Sequence, residues 1–137
     1  MPTGFYRLKS AARPAQYLSL VDGKVVGHSD EPGVMNKWFV TFDERDWGVF
    51  QPVRNGEVSP EYIYFDESGS LKMAGNGMLF PVLERTGPSS ESRLFSIVID
   101  GTDLVWALLT WDKNTPVVTQ TNDGSTQQLW VFEKFTV

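Results

Sequence analysis

The strongest constraint on the fold of this chain is a short pattern that occurs three times at two different places. Segments Phe5-Tyr6-Arg7-Leu8, Asp46-Trp47-Gly48-Val49 and Leu94-Phe95-Ser96-Ile97 each set an aromatic residue two positions before an aliphatic one. Segments Lys37-Trp38-Phe39-Val40, Leu79-Phe80-Pro81-Val82 and Leu129-Trp130-Val131-Phe132 again place an apolar residue two positions after an aromatic. A spacing of two puts both side chains on one face of a strand. The opening aromatics Tyr6, Trp47 and Phe95 lie 41 and 48 positions apart, and the closing aromatics Trp38, Phe80 and Trp130 lie 42 and 50 apart. Three units of about 45 residues therefore account for the chain.

Each unit has room for two further strands. The segments rich in β-branched and aromatic residues are Tyr17 to Leu20 and Lys24 to Gly27, then Glu61 to Phe65 and Leu71 to Ala74, then Leu104 to Thr110 and Pro116 to Thr121. Turn signals separate them, among them Asp22-Gly23, Pro32-Gly33, Asn55-Gly56, Ser68-Gly69, Gly75-Asn76-Gly77, Asp100-Gly101 and Asp123-Gly124. Twelve strands in three pseudo-repeats predict an all-β protein, a β-trefoil. This is a six-stranded barrel capped by three hairpins, whose closure removes exposed strand edges. A single domain over 1–137 is expected, with repeats of about 4–45, 46–92 and 93–137. The predicted core is Tyr6, Leu8, Trp38, Val40, Trp47, Val49, Phe80, Val82, Phe95, Ile97, Trp130 and Phe132. Pro81 has no N–H for a ladder and needs an edge or a bulge.

Composition narrows the function. Hydrophobic residues make up 41% and charged residues 21% of the 137 residues, which is globular. The net charge of −5, with Lys and Arg scattered singly, disfavours nucleic acid and anionic membranes as partners. No apolar run reaches membrane-spanning length, and the longest, residues 104–109, reads as one buried strand. The absence of cysteine removes disulfides and thiolate chemistry. Together with an N-terminus lacking a signal pattern, it leads to the expectation of a cytoplasmic protein.

The inventory for catalysis is poor. The one histidine, His28, precedes Ser29 and Asp30. Neighbours on a strand point to opposite faces, so the three do not make a triad, and His28 reads as a surface residue at a strand end. Zinc sites need several His or Cys ligands, and neither a metal nor another cofactor is expected. The pairs Asp43-Glu44 and Asp66-Glu67 sit in turn-like stretches and read as solvated. The chain is expected to bind rather than to catalyse.

The opening Gly4-Phe5-Tyr6-Arg7-Leu8 resembles the Gly-x-Tyr-x-Ile start of fungal β-trefoil proteins. The close, Gln128-Leu129-Trp130, resembles the Gln-x-Trp ending of ricin-B-like and mushroom trefoils, and Trp47-Gly48-Val49-Phe50-Gln51-Pro52-Val53 resembles their second-repeat strands. The resemblance implies one of two functions: a protease inhibitor, of the fungal trypsin-inhibitor or mycocypin kind, or a small lectin. In either case it implies a role in fungal defence. Only the third repeat keeps Gln-x-Trp, since the first ends Asn36-Lys37-Trp38 and the second has Met78 before Phe80.

An inhibitor of a trypsin-like serine protease would hold a rigid loop with Lys or Arg toward an acidic specificity pocket. Three loops offer one: Asp22-Gly23-Lys24, Val53-Arg54-Asn55-Gly56 and Glu84-Arg85-Thr86-Gly87-Pro88-Ser89-Ser90. The family resemblance points to the first, with Lys24 in the leading role and Gly23 shaping the turn. By resemblance to mycocypins, Asn55 or Asn76 would suit an asparagine-specific protease. A lectin would instead use an aromatic face with nearby polar groups, and Trp111, Asp112 and Asn114 form such a set. The expected partner is thus a protease or a glycan. The inhibitor is the leading expectation and the lectin the alternative.

Overall fold

Alternation and turn chemistry resolve into fourteen strands in a computed structural model that describes residues 1–85 and 93–136. In the first repeat these are β1 (Gly4–Ser10), β2 (Gln16–Val21), β3 (Lys24–Ser29) and β4 (Trp38–Phe42). The second contributes β5 (Trp47–Arg54), β6 (Glu57–Val58), β7 (Tyr62–Phe65), β8 (Leu71–Ala74) and β9 (Phe80–Glu84). The third contributes β10 (Phe95–Ile97), β11 (Leu104–Ala107), β12 (Thr115–Pro116), β13 (Val118–Thr121) and β14 (Trp130–Lys134). A 3₁₀ turn at Thr126–Gln128 precedes the last strand. Removing the two-residue strands β6 and β12 leaves four strands in each repeat, the twelve that the sequence predicts.

Antiparallel pairing closes a ring of six strands. β1 pairs β4, β4 pairs β5, β5 pairs β9, β9 pairs β10, β10 pairs β14, and β14 returns to β1. Hairpins β2–β3, β7–β8 and β11–β13 complete the three units. This is the β-trefoil. Pro81 faces Trp47 in a β5–β9 ladder of only two residue pairs, a stretch with little need of its missing N–H.

The barrel interior repeats in layers. Tyr6 faces Trp38, Gly48 faces Phe80, and Phe95 faces Trp130 across the strand pairs of successive repeats. Trp38, Phe80 and Trp130 are fully buried, as are Leu8, Phe50 and Ile97 two residues into the opening strands. Both closing indoles also find acceptors: Trp38 Nε1 donates to Leu18 O at 2.9 Å and Trp130 Nε1 to Trp106 O at 3.3 Å. Val40 and Val82 are buried, and Phe132 packs on the same cluster, its ring 5.3 Å from that of Phe95 and 5.7 Å from that of Tyr6.

Two core expectations are corrected. Trp47 and Val49 are half-buried, and Gly48, Phe50 and Pro52 face inward instead. The phase shifts by one because Gly48, not Trp47, occupies the position of Tyr6 and Phe95 in the register. A Cβ on Gly48 would stand 3.1 to 3.3 Å from Val40, Phe42 and Phe50, so neighbouring side chains fill the missing aromatic's space. Trp47 packs outside, with the Arg45 guanidinium 3.8 Å from its ring centroid. His28 is buried rather than a surface residue, at 8% exposure, with Nδ1 2.8 Å from Ser29 O.

Candidate functional site

The leading candidates of the two readings, Lys24 and Trp111, fall on two loops that hold the same place in their repeats, between the second and third strands. In repeat one that loop is only Asp22-Gly23, because Val21 pairs directly with Lys24. Both turn residues have positive φ, 51° and 75°, the geometry that makes a two-residue turn match strand twist. Lys24 is exposed, yet its backbone belongs to the hairpin ladder. In repeat three, residues 108–114 separate β11 from β12, and residues 110–114 are exposed.

Local chemistry shapes the longer loop. The Thr115 hydroxyl donates to Asp112 O at 2.7 Å, which leaves the Thr110 hydroxyl to donate to Thr115 Oγ1 at 2.7 Å and to accept from the Asp112 N–H at 3.3 Å. Asn114 supplies the left-handed residue at φ 64°, a conformation that asparagine tolerates. The loop then docks on repeat one. Asn114 N–H donates to Gly27 O at 2.9 Å, and Thr115 and Pro116 pair with Gly27 and Val26. Lys113 Nζ lies 2.5 Å from Glu31 Oε2, and Ser29 Oγ donates to the same oxygen. The hydrogen bond from Lys113, with that from Ser29, holds the Glu31 carboxyl below its ordinary value.

At the outer end of this loop stands Trp111, with 59% of its surface exposed. Its backbone is fixed, since Gln16 Nε2 donates to Trp111 O at 3.2 Å and Gln16 is itself 6% exposed. The Arg13 guanidinium lies 5.6 Å from the indole centroid and donates through Nη2 to Leu109 O at 2.6 Å. Arg13 and Gln16 come from the start of repeat one and have no sequence signature. Only closure of the barrel brings them to Trp111. Chain closure also joins the two candidate loops: Val21, Asp22, Lys24, Val26 and Asn114 line one shallow depression of about 180 Å³. Asp112 is exposed on the same loop.

The remaining basic candidates sit elsewhere. Arg54 ends β5, pairs with Glu57 across the Asn55-Gly56 turn, and bonds Glu61 at 2.9 Å. Asn55, at φ 51°, lies on a separate cavity of about 390 Å³ whose lining also includes Lys37 and Phe135. Arg85 is exposed, with its N–H donating to Leu94 O at 2.6 Å, and residues 86–90 of its loop lie outside the described residues. In the turn pairs the two aspartates have partners: Asp43 bonds Arg45, and the bonds from Lys72 and then Ser68 bring Asp66 down to about 2. Among the described residues no group of three His, Cys, Asp or Glu could hold a metal ion, and no helix is long and apolar enough to cross a membrane.

No protein-family model matches the chain, and no curated protein matches it in sequence. Its likeness to solved structures runs over nearly the whole length. The Rhizoctonia solani agglutinin superposes with a TM-score of 0.75 at 19% identity, covering 98% of this chain and 97% of that one. A Macrolepiota procera ricin B-like lectin, solved in complex with lactose, gives 0.77 at 14% identity, covering 98% and 99%. A proteinase inhibitor from Coprinopsis cinerea gives 0.66 at 15% identity, covering 98% and 99%. These neighbours are fungal β-trefoil proteins, and what this chain shares with lectins and inhibitor alike is the fold.

Proposed function

We propose that this chain works by binding rather than catalysis, and that it binds carbohydrate through Trp111. The observation that carries this reading is the exposed indole on a pinned loop. Aromatic side chains of this size bury roughly 150–250 Å² when packed, at about 25 cal/mol per Å² of apolar surface. Leaving Trp111 outward forgoes that gain, although the loop's own hydrogen bonds, and not the ring, define its shape. A sugar ring offers C–H groups to an aromatic face and hydroxyls to nearby polar groups. Asp112 and Asn114 provide such groups on the same loop.

The inhibitor reading rests on Lys24, which is exposed and has no ion pair among the described residues. Its weakness is conformational. A substrate-like loop offers an extended, unpaired backbone to a protease cleft, whereas Lys24 is paired with Val21 beside a two-residue turn. Arg54 is likewise paired. A glycan array run beside a trypsin, papain and legumain panel tests both readings. The expected result is glycan binding by the wild type, loss in Trp111→Ala, and no change in Lys24→Ala. Inhibition of a protease that weakens at least tenfold in Lys24→Ala, about 1.4 kcal/mol, would install the inhibitor reading instead.

A further inference from the structure

We infer that the Trp111 site selects sugars that carry a carboxylate, with Arg13 as the group that recognises it. This rests on the carbohydrate reading above and names the class of glycan within it. The chain is acidic, at −5 overall, and its exposed cations mostly have acidic neighbours. Arg7 pairs with Asp30, Arg45 with Asp43, Arg54 with Glu61, Lys72 with Asp66, Arg93 with Glu84 and Lys113 with Glu31. Arg13 pairs with none of the carboxylates among the described residues. Its contacts are the Leu109 carbonyl at Nη2, at 2.6 Å, and the Trp111 ring. Its Nε is buried with no partner. Asp112, the nearest acid along the loop, makes no ion pair with it.

A guanidinium held in this way is already oriented by a backbone carbonyl and an aromatic ring. With Nε buried, the donors it can offer a ligand beside the exposed indole are those of Nη1 and the second N–H of Nη2. Arginine's planar fork matches a carboxylate in two parallel hydrogen bonds, and little entropy remains to be lost when the fork is fixed beforehand. A ring that stacks on Trp111 would bring an attached carboxylate within reach of that fork. The pair would form partly shielded by the indole, where charge-assisted hydrogen bonds count for more than on open surface. A neutral sugar would use the indole and the polar groups of Asp112 and Asn114, without Arg13.

The test is a matched pair of probes, N-acetyllactosamine and the same disaccharide capped with N-acetylneuraminic acid, titrated by calorimetry into the whole chain. Wild type should prefer the acidic probe at least tenfold. Arg13→Gln should bring that ratio to about one, and Arg13→Lys, which keeps the charge but not the fork, should leave a smaller preference that fades in 0.5 M NaCl. Unchanged melting temperatures separate recognition from a misplaced loop. If Arg13→Gln shifts the melting temperature, Arg13→Lys decides: a reduced preference supports the role of the fork, and a preference equal to wild type overturns it. Binding of both probes with equal affinity, through Trp111, would overturn the role of Arg13 and leave the carbohydrate reading standing. Binding of neither, together with an empty glycan array, would overturn both.

Discussion

The β2–β3 hairpin of repeat one and the loop at 108–114 of repeat three occupy one position in the three-fold plan, and they solve it in opposite ways. The first closes with two residues, so every residue from Gln16 to Ser29 except the turn is paired across the hairpin ladder. The second spends seven residues, fixes its own turn with Thr110 and Thr115, and leaves an indole in solvent. Shortness gives rigidity but hides the backbone, whereas length presents a side chain at the cost of tethers. Those tethers are borrowed from repeat one: the Gln16 amide, the Arg13 guanidinium, Gly27 O and the Glu31 carboxylate.

The largest effect that sharpens this contrast lies inside repeat three. Trp106 is fully buried, with its ring 5.0 Å from those of Phe50 and Phe80, and Trp111 is exposed only five positions later. Trp106→Ala should lower unfolding free energy by about 3–5 kcal/mol in a denaturant titration. Trp111→Ala should stay within about 0.5 kcal/mol of wild type. A comparable loss in both would mean that the loop indole is structural.

The hairpin turn gives the next effect. Gly23 has a φ of 75°, and no atom lies within 4 Å of where a Cβ would stand. Gly23→Val therefore costs backbone strain alone, about 1–2 kcal/mol by thermal melts. The substitution should leave glycan binding in place, since Trp111 does not depend on this turn. Loss of glycan binding without global unfolding would tie the site to the hairpin and erase the distinction between the two loops.

The smallest effect is electrostatic. The folded Glu31 carboxyl lies below its ordinary value, because Lys113 and Ser29 hydrogen-bond the charged form. Its contribution is therefore present above the unfolded value near 4.5 and is lost as pH falls through the lower folded value. Acid should loosen the loop at 108–114 and leave the backbone-held β2–β3 ladder intact. Hydrogen exchange corrected for intrinsic rates should show faster exchange at Asn114 relative to Val26 below about pH 4. Glu31→Gln should reproduce part of that difference at pH 7. Equal loosening of both segments would contradict the assignment of Glu31 to the longer loop.

Much of the architecture was legible because it repeats. Aromatic spacing located all six barrel strands, and turn residues located the hairpins, with Leu71–Ala74 matching at both ends. The missteps have physical causes. The spacing of Trp47 and Val49 points both inward because it matches the other two opening strands, yet Gly48 faces in and larger neighbours fill its space. Strand β11 ends at Ala107 although the apolar run continues, because the Leu108 N–H turns to Gln127 O. At the site, Trp111 could be singled out as an aromatic among polar turn residues. Arg13 and Gln16 could not, since their role depends on barrel closure, which sets residues some hundred positions apart side by side.

The most direct measurement follows the indole N–H signals of the five tryptophans by NMR while the best-bound glycan from the array is added. Trp38, Trp106 and Trp130 are fully buried and should hold their positions, and Trp47 lies far along the chain on another repeat's outer face. The Trp111 signal should move in proportion to saturation, and the Asp22 to Lys24 amides should move less. A saturable glycan titration that leaves the Trp111 indole unmoved would contradict the account.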